Sequence, residues 1–346
     1  MITIGVDFSK RSSVYSVLDE NGQRIKRSKV ENNPELIDRF FEELPKEPKQ
    51  LAMEAGRSWG LYYETVKDHV DFFHLAHPTK MRAITSSETK NDQNDADMIA
   101  KLAYSGFLPK AHISALGIRQ LRSVIRLRYF WVRQKVALRN QVQTLIDRNL
   151  WPCQRPCSFK NPFCARGKKW LLELPLPESE RLLLDQCLKA FEHTQVRIQE
   201  LESLLESCSP TLNGMNFLRS IPGFQKSKVH IYTVLLETDD IGRFKKAKHF
   251  AHYAGLVPRE HSSGESHRTG HLVKGANQFL KQAIIEATWS ALLKDKALKA
   301  YYLSVKSRRG VGPAIIATAR KISYAIYHVL KDKTYYRFAP ATASLD

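Results

Sequence analysis

The period of the hydrophobic pattern changes once, near Leu116, and that change limits what this chain can fold into. Before it, short apolar runs alternate with helical stretches. Ile2–Asp7, Ser13–Leu18 and Gln23–Val30 read as strands, with Asn21-Gly22 turning the second into the third. Asn33-Pro34 opens a helix through Phe40, Phe41 and Leu44. Leu51–Glu54 reads as a short buried strand, Leu61–His69 as a helix and Phe72–Ala76 as a further strand. Three hairpin-like strands followed by strand–helix units predict an α/β domain of the ribonuclease-H-like class over residues 1–112.

After Leu116 the spacing is helical. Ile118, Leu121, Ile125, Tyr129, Val132, Val136, Val142 and Ile146 recur in threes and fours. A second such stretch, from about Glu178 to Ser207, carries Leu184, Leu188, Phe191, Ile198, Leu201 and Leu205 on one face. The pair predicts a helical hairpin or coiled coil over residues 113–212, interrupted by a basic, Cys- and Pro-rich loop at 151–169. Residues 213–338 read as mostly α-helical, with helices at Val229–Leu236, Ile284–Leu292 and Ala314–Leu330. Residues 339–346 read as a frayed tail.

Charge narrows the partners. Lysine and arginine number 54 against 35 acidic residues, a formal charge of +19. The excess is clustered: Arg119, Arg122, Arg126, Arg128, Arg133, Lys135, Arg139 and Arg148 lie on the first long helix, opposed only by Asp147. Clustering favours a nucleic acid over a membrane surface or a merely solvated basic face. The five cysteines are too few and too uneven for a disulfide framework and fit a reducing compartment. Cys153, Cys157 and Cys164 share the Pro-rich loop, but without a CxxC pair or an obvious fourth ligand they read as free thiols rather than zinc ligands. No apolar run is long enough to span a membrane, and the first residues lack the pattern of a signal peptide.

Four carboxylates stand out in this basic chain. Asp7 ends the run Ile2-Thr3-Ile4-Gly5-Val6, and Glu54 ends Leu51-Ala52-Met53. A charge at the end of an apolar strand is costly unless it is used. Asp92 and Asp95 stand three apart at a helix start, on one helical face. Asp92 alone also suits a helix cap. Together the four suit a hard divalent cation, Mg2+ or Mn2+, and such ligands in a basic protein suggest phosphodiester chemistry. Asp97 is available too, in a different direction.

Ile4-Gly5-Val6-Asp7, Met53-Glu54-Ala55-Gly56 and Lys90-Asn91-Asp92-Gln93-Asn94-Asp95-Ala96 resemble the DEDD-type insertion-sequence transposases, a family that includes the Piv-type DNA invertase. The resemblance continues at Ser220-Ile221-Pro222-Gly223, at Arg243-Phe244 and at Tyr253-Ala254-Gly255-Leu256-Val257-Pro258, in the family's order. It implies a RuvC-like first domain, whose metal site and catalysis use Asp7, Glu54, Asp92 and Asp95, and a mostly α C-terminal transposase domain. It implies a catalytic serine before a glycine, here Ser263 before Gly264, with Ser262 as the neighbouring alternative. Residue chemistry alone would read two serines in a polar loop as solvated hydroxyls. Arg268, Lys274 and Lys281 follow as phosphate-binding candidates, beside Arg119, Arg122, Arg126 and Arg133 on the long helix. Ile221-Pro222-Gly223-Phe224 reads either as a helix–hairpin–helix turn offering amides to phosphate or as a simple helix entry.

The resemblance further implies recombination through a phosphoserine link, guidance by a structured noncoding RNA, double-stranded target and donor DNA as partners, and dimers that form tetramers on DNA. It implies a bacterial, cytoplasmic protein at the nucleoid. The other readings left open are an invertase without guide RNA, a RuvC-like hydrolytic junction nuclease, and an inactive nucleic-acid-binding remnant.

Overall fold

The computed structural model describes residues 1–82, 92–150, 156, 161–263, 266–273 and 275–337. The chain divides into two compact units, Met1–Leu116 and Gly117–Asp346.

The first unit is built on a five-stranded sheet. Its strands are β1 (Ile2–Phe8), β2 (Ser12–Leu18), β3 (Arg24–Glu31), β4 (Lys49–Glu54) and β5 (Phe72–Ala76), in the order β3-β2-β1-β4-β5. The first three strands pair antiparallel, and β4 and β5 continue the sheet parallel to β1. This is the mixed α/β sheet expected. Helices α1 (Pro34–Glu42), α2 (Trp59–Val66), α3 (Pro78–Arg82) and α4 (Asp92–Tyr104) complete the unit. Asn33 caps α1 by accepting from the Glu35 amide, with Pro34 where a missing N–H costs nothing.

Both sheet faces are covered, which is why β1 and β4 read as continuous apolar runs rather than alternating ones. On one face Ile4, Val6, Tyr15, Leu51 and Met53 pack with Phe40, Phe41 and Tyr62. On the other, Ala52 and Ala76 pack with Ile99 and Ala103 of α4. The contact between α4 and β1 is made at Gly5. A Cβ there would lie 2.3 Å from the Ala96 carbonyl oxygen and 2.4 Å from the Ala100 amide nitrogen. Both are backbone atoms, so no side chain can yield, and α4 sits on β1 only because residue 5 has no side chain.

The second unit opens with α5 (Leu116–Asn149), followed by α6 (Ala165–Glu173) and α7 (Glu178–Ser207). Helices α5 and α7 run antiparallel: Arg148 pairs with Glu180 at 2.7 Å, the Trp131 and His193 rings lie 5.9 Å apart, and Arg128 reaches Glu202 at 2.8 Å. Val142, Leu145 and Ile146 pack on Leu184 and Leu188 along the seam. Near the start of α5, Ile125 and Tyr129 join a different core, with Leu205, Ile231, Leu236 and Ile284. The helical middle and the C-terminal region therefore share apolar packing inside one unit.

Beyond α7 come α8 (Met215–Ser220), α9 (Lys228–Thr238), α10 (Ala247–Tyr253), the hairpin β6 (Pro258–Ser263) and β7 (Ser266–Leu272), α11 (Gln278–Ala291), α12 (Lys296–Arg309) and α13 (Val311–Lys331). The pattern analysis did not predict α10, the hairpin or α12. The Ile221–Phe224 turn joins α8 to α9 and is buried. Gly223 has φ +92°, and a Cβ on it would come 2.0 Å from the Ala287 carbonyl oxygen of α11, so the turn is wedged against a helix backbone. Cys164 caps α6 by accepting from the Gly167 amide, and Cys164, Cys187 and Cys208 are free thiols. Cys153 and Cys157 lie outside the described residues, as does the tail from 338. Among the described residues no helix is long and apolar enough to cross a membrane.

Candidate active site

Strand register places the first two carboxylates. Val6 of β1 lies opposite Met53 of β4, so Asp7 and Glu54 are the next pair along these parallel strands. Residues two apart share a sheet face. Asp7 is therefore on the face of Gly5, and Glu54 on that of Ala52, which is the face α4 covers. The direction of α4 brings in the other two. Tyr104, at its C-terminal end, lies against Gly22 in the β2–β3 turn and donates to the Glu20 carbonyl at 3.3 Å. That turn is at the beginning of β1, where Thr3 pairs with Leu18. Helix α4 thus runs against β1, and its first turn, with Asp92 and Asp95, comes to the Asp7 end of the strand.

Asp7 and Asp95 are half-buried and Glu54 is exposed; the Asp92 side chain lies outside the described residues. Among the described residues no three Asp, Glu, His or Cys side chains close into a cage. The donor types still fit a hard cation, because Asp7 and Glu54 stand on one sheet face at the end of the sheet where α4 begins. Asp97 is occupied elsewhere. It pairs with Arg24 at 2.7 Å and with Arg27, both on β3. Burial alone would raise its pKa, but the nearby Ser16 hydroxyl, the hydrogen bond from Arg27 and the charges of Arg27 and Arg24 hold it below the usual carboxylate range.

The serine lies on the hairpin of the second unit. Ser263 ends β6 opposite Ser266, with Ser262 opposite His267 and His261 opposite Arg268. The register thus gathers three serines, two histidines and an arginine at the hairpin's outer end. Gly264 and Lys274 lie outside the described residues. The root of the hairpin is defined by Gly255, with φ +68°, whose missing side chain admits Ala276; the aliphatic stem of Lys281 passes nearby.

Comparison with known proteins agrees at both ends. Residues 4–150 match the DEDD transposase family profile, and residues 215–303 match the profile described as transposase IS116/IS110/IS902 family. Over 353 aligned residues the chain is 23% identical to the "Probable family 20 transposase" of Pseudomonas aeruginosa, covering 96% of this chain and 98% of the relative. It is 25% identical to the transposase for insertion sequence element IS1111A of Coxiella burnetii, covering 83% of this chain and 79% of the relative. A pilin gene-inverting protein of Moraxella lacunata is 33% identical over 132 residues, 35% of this chain and 39% of that protein.

The chain belongs to the DEDD-type insertion-sequence transposases.

As an enzyme it is a DNA transposase, and a DEDD domain implies a divalent metal. The structure revises part of the transposase's expected nucleic-acid surface. Arg126 makes a bidentate pair with Glu237, both hydrogen bonds being 2.7 Å. Arg122 donates to the Leu236 carbonyl at 3.0 and 2.8 Å and lies 3.7 Å from the same carboxylate. Glu237 is fully buried. These two arginines therefore hold α5 to α9, because a buried carboxylate must be paired. Arg119 is half-buried, and Arg133 is exposed.

Glu237 is the important residue that the pattern analysis overlooked. Asn277 Nδ2 donates to its carboxylate at 2.7 Å and to the Tyr253 hydroxyl at 3.1 Å, while that hydroxyl donates to the Glu237 carbonyl at 3.1 Å. Asn277 also caps α11, accepting from the Leu280 amide at 3.0 Å. Arg243 lies over the Tyr253 ring at 4.5 Å. Tyr253 ends α10 and Asn277 starts α11, the two helices that flank the serine hairpin. The signal was present in the sequence: Glu237 ends an apolar run in α9, as Asp7 and Glu54 end theirs on strands.

Proposed function

We propose that this transposase exchanges DNA strands through a phosphoserine intermediate, using both its carboxylates and Ser263. The observation that carries the reading is the register of β1 and β4, which aligns Asp7 with Glu54 at the end of the sheet face where α4 begins. The strand order also matches a ribonuclease-H-like, RuvC-like domain. Asp7, Glu54, Asp92 and Asp95 would hold the divalent ion, Mg2+ or Mn2+, which supplies Lewis-acid stabilisation of phosphoryl oxygens when bound.

Ser263 Oγ attacks the phosphorus, an Oγ–P bond forms, and the bond from phosphorus to one deoxyribose oxygen breaks. The serine proton passes to a base, for which His261, two residues back along the same strand and so on the same side of the hairpin, is the candidate by register. The departing oxygen takes up a proton. A hydroxyl on the incoming strand then attacks the same phosphorus and releases the serine. The phosphodiester energy is kept, so joining needs no external source. With a nicked donor that traps the intermediate, the protein is expected to form a denaturation-resistant DNA adduct that maps to Ser263. Ser263→Ala should lose the adduct and strand exchange yet bind DNA. An adduct at Ser262 would move the nucleophile by one residue. Free ends with no adduct would establish the hydrolytic nuclease instead.

The reading extends to a structured noncoding guide RNA, to dimers that assemble into tetramers on donor and target duplexes, and to action at the nucleoid in the cytoplasm. A coiled-coil-like α5–α7 pair with the basic segment 151–169 would supply the RNA contact. The exposed Arg133 supports this, whereas Arg122 and Arg126 are engaged by Glu237. Protein purified from cells that carry its native flanking DNA is expected to retain one structured RNA with steep salt dependence. Arg133→Glu should weaken that retention without lowering the melting temperature. Recovery of random cellular RNA alone, with recombination proceeding without it, would instead favour a protein-read invertase.

A further inference from the structure

Two cavities flank the root of the β6–β7 hairpin. The larger, about 770 Å3, is bounded by Pro258 and His271 of the hairpin and by Tyr301, Arg309, Lys321 and Tyr324 of α12 and α13. The other, about 690 Å3, is bounded by Lys248, His249 and His252 of α10 together with Pro258 and Arg259. Pro258 and Arg320 line both, so the two adjoin at the hairpin root. Among the described residues that line either cavity none is acidic.

The larger cavity combines two chemistries. Its floor is apolar, formed by Leu256, Pro313, Ile316 and Ala317. Its wall carries aromatic rings held beside cations. Lys321 Nζ lies 4.3 Å from the centre of the Tyr301 ring. The Arg320 guanidinium donates to the Tyr324 hydroxyl at 3.1 and 3.0 Å. A purely electrostatic seat for duplex backbone would need the cations alone. Aromatic faces beside cations, over an apolar floor and with no carboxylate among the described lining residues, match a platform for an unstacked base and its phosphates. The volume is within the range of small-ligand sites.

We propose that this groove receives an unpaired segment of the DNA strand being exchanged. A base would enter between Tyr301 and Tyr324, with phosphates tracked by Lys321, Arg320 and Arg259 towards the hairpin. From Pro258 to Ser263 the strand spans roughly 17 Å at about 3.4 Å per residue, so the seated nucleotide would lie a few positions from the serine. The proposal rests on the DNA substrate of the enzyme class and does not depend on Ser263 being the nucleophile. In a strand-exchange reaction an unpaired strand exists only between cleavage and joining, and a seat for it would keep it from being lost.

The test is fluorescence anisotropy with the full chain and three labelled probes of one sequence: single-stranded DNA, blunt duplex DNA and single-stranded RNA. Tyr301→Leu removes the ring while keeping an apolar side chain, and is expected to weaken single-stranded DNA about tenfold, the scale of one lost stacking contact. Duplex affinity should be unchanged, and that same measurement controls for folding. Lys321→Ala should weaken the single strand and flatten its salt dependence by about one phosphate contact. In photocrosslinking with a halogenated pyrimidine, the crosslink should fall on Tyr301 or Tyr324. Equal losses on duplex and single strand would reduce the groove to a backbone track. A selective loss on RNA would assign it to a guide transcript. Unchanged binding by both variants, or a crosslink outside the groove, would also overturn the proposal. None of these outcomes bears on the serine, whose adduct is read separately.

Discussion

Glu237→Ala is expected to lower the stability of the second unit by about 3–5 kcal/mol, the scale of breaking one side of a buried ion pair. The substitution strands Arg126 and Arg122, removes the acceptor for Asn277, and opens a void at the junction of α5, α9, α10 and α11. Glu237→Gln should cost less, because its amide oxygen can still accept while the charge is lost. Urea unfolding of the full chain measures both. The double variant Arg126→Met with Glu237→Leu should be milder than Glu237→Ala, since it removes Arg126 with its partner, fills the space, and leaves Arg122 its two hydrogen bonds to the Leu236 carbonyl. A Glu237→Ala protein that unfolds at the wild-type urea midpoint would show that the pair carries no such energy. The same logic governs nucleic-acid assays: loss of binding in an Arg126 variant reports a lost phosphate contact only where the urea midpoint is unchanged.

Asp7→Asn and Glu54→Gln are expected to reduce recombination on the order of a thousandfold or more, as removal of one member of a catalytic set does. Each replacement keeps the shape of the side chain and removes the charge that a cation requires. Asp95→Asn and Asp92→Asn should behave alike. Melting temperature and DNA affinity should stay near wild type, and excess chelator should silence the unmodified protein. Asp97→Asn is the control. It loses the ion pairs to Arg24 and Arg27 and should lower stability while sparing the chemistry of any protein that remains folded. Recombination at wild-type rate by Asp7→Asn, measured between two plasmids, would remove the carboxylates from the mechanism.

The α/β sheet was legible because its strands are short apolar runs punctuated by Asn21-Gly22 and Asn33-Pro34, and because alternation stops where both faces are buried. The long helices α5 and α7 were equally clear, since thirty or more residues of helical period leave little ambiguity. By contrast, α12 carries only a short stripe: Tyr302 and Val305 are its buried residues, with Leu298 and Tyr301 partly buried beside them. The β6–β7 hairpin lacks strand-forming alternation, and its serines, histidines and arginine read as loop. The arginines of α5 misled for a related reason. One-dimensional spacing shows that Arg122 and Arg126 share a helix with other cations, but not that α9 delivers a buried carboxylate to them.

The sequence by itself determined the sheet, the long helices, the change of pattern near Leu116 and the family, because local periodicity and short motifs are properties of near neighbours. Only the tertiary structure decided which charges meet. The β1–β4 register set Asp7 beside Glu54, and the absence of a side chain at Gly5 let α4 bring Asp95 to the same end while Asp97 turned to β3. Packing of α5 on α9 likewise decided that two of its arginines pair with the buried Glu237. Such choices depend on contacts between residues tens to more than a hundred positions apart, which no local pattern encodes.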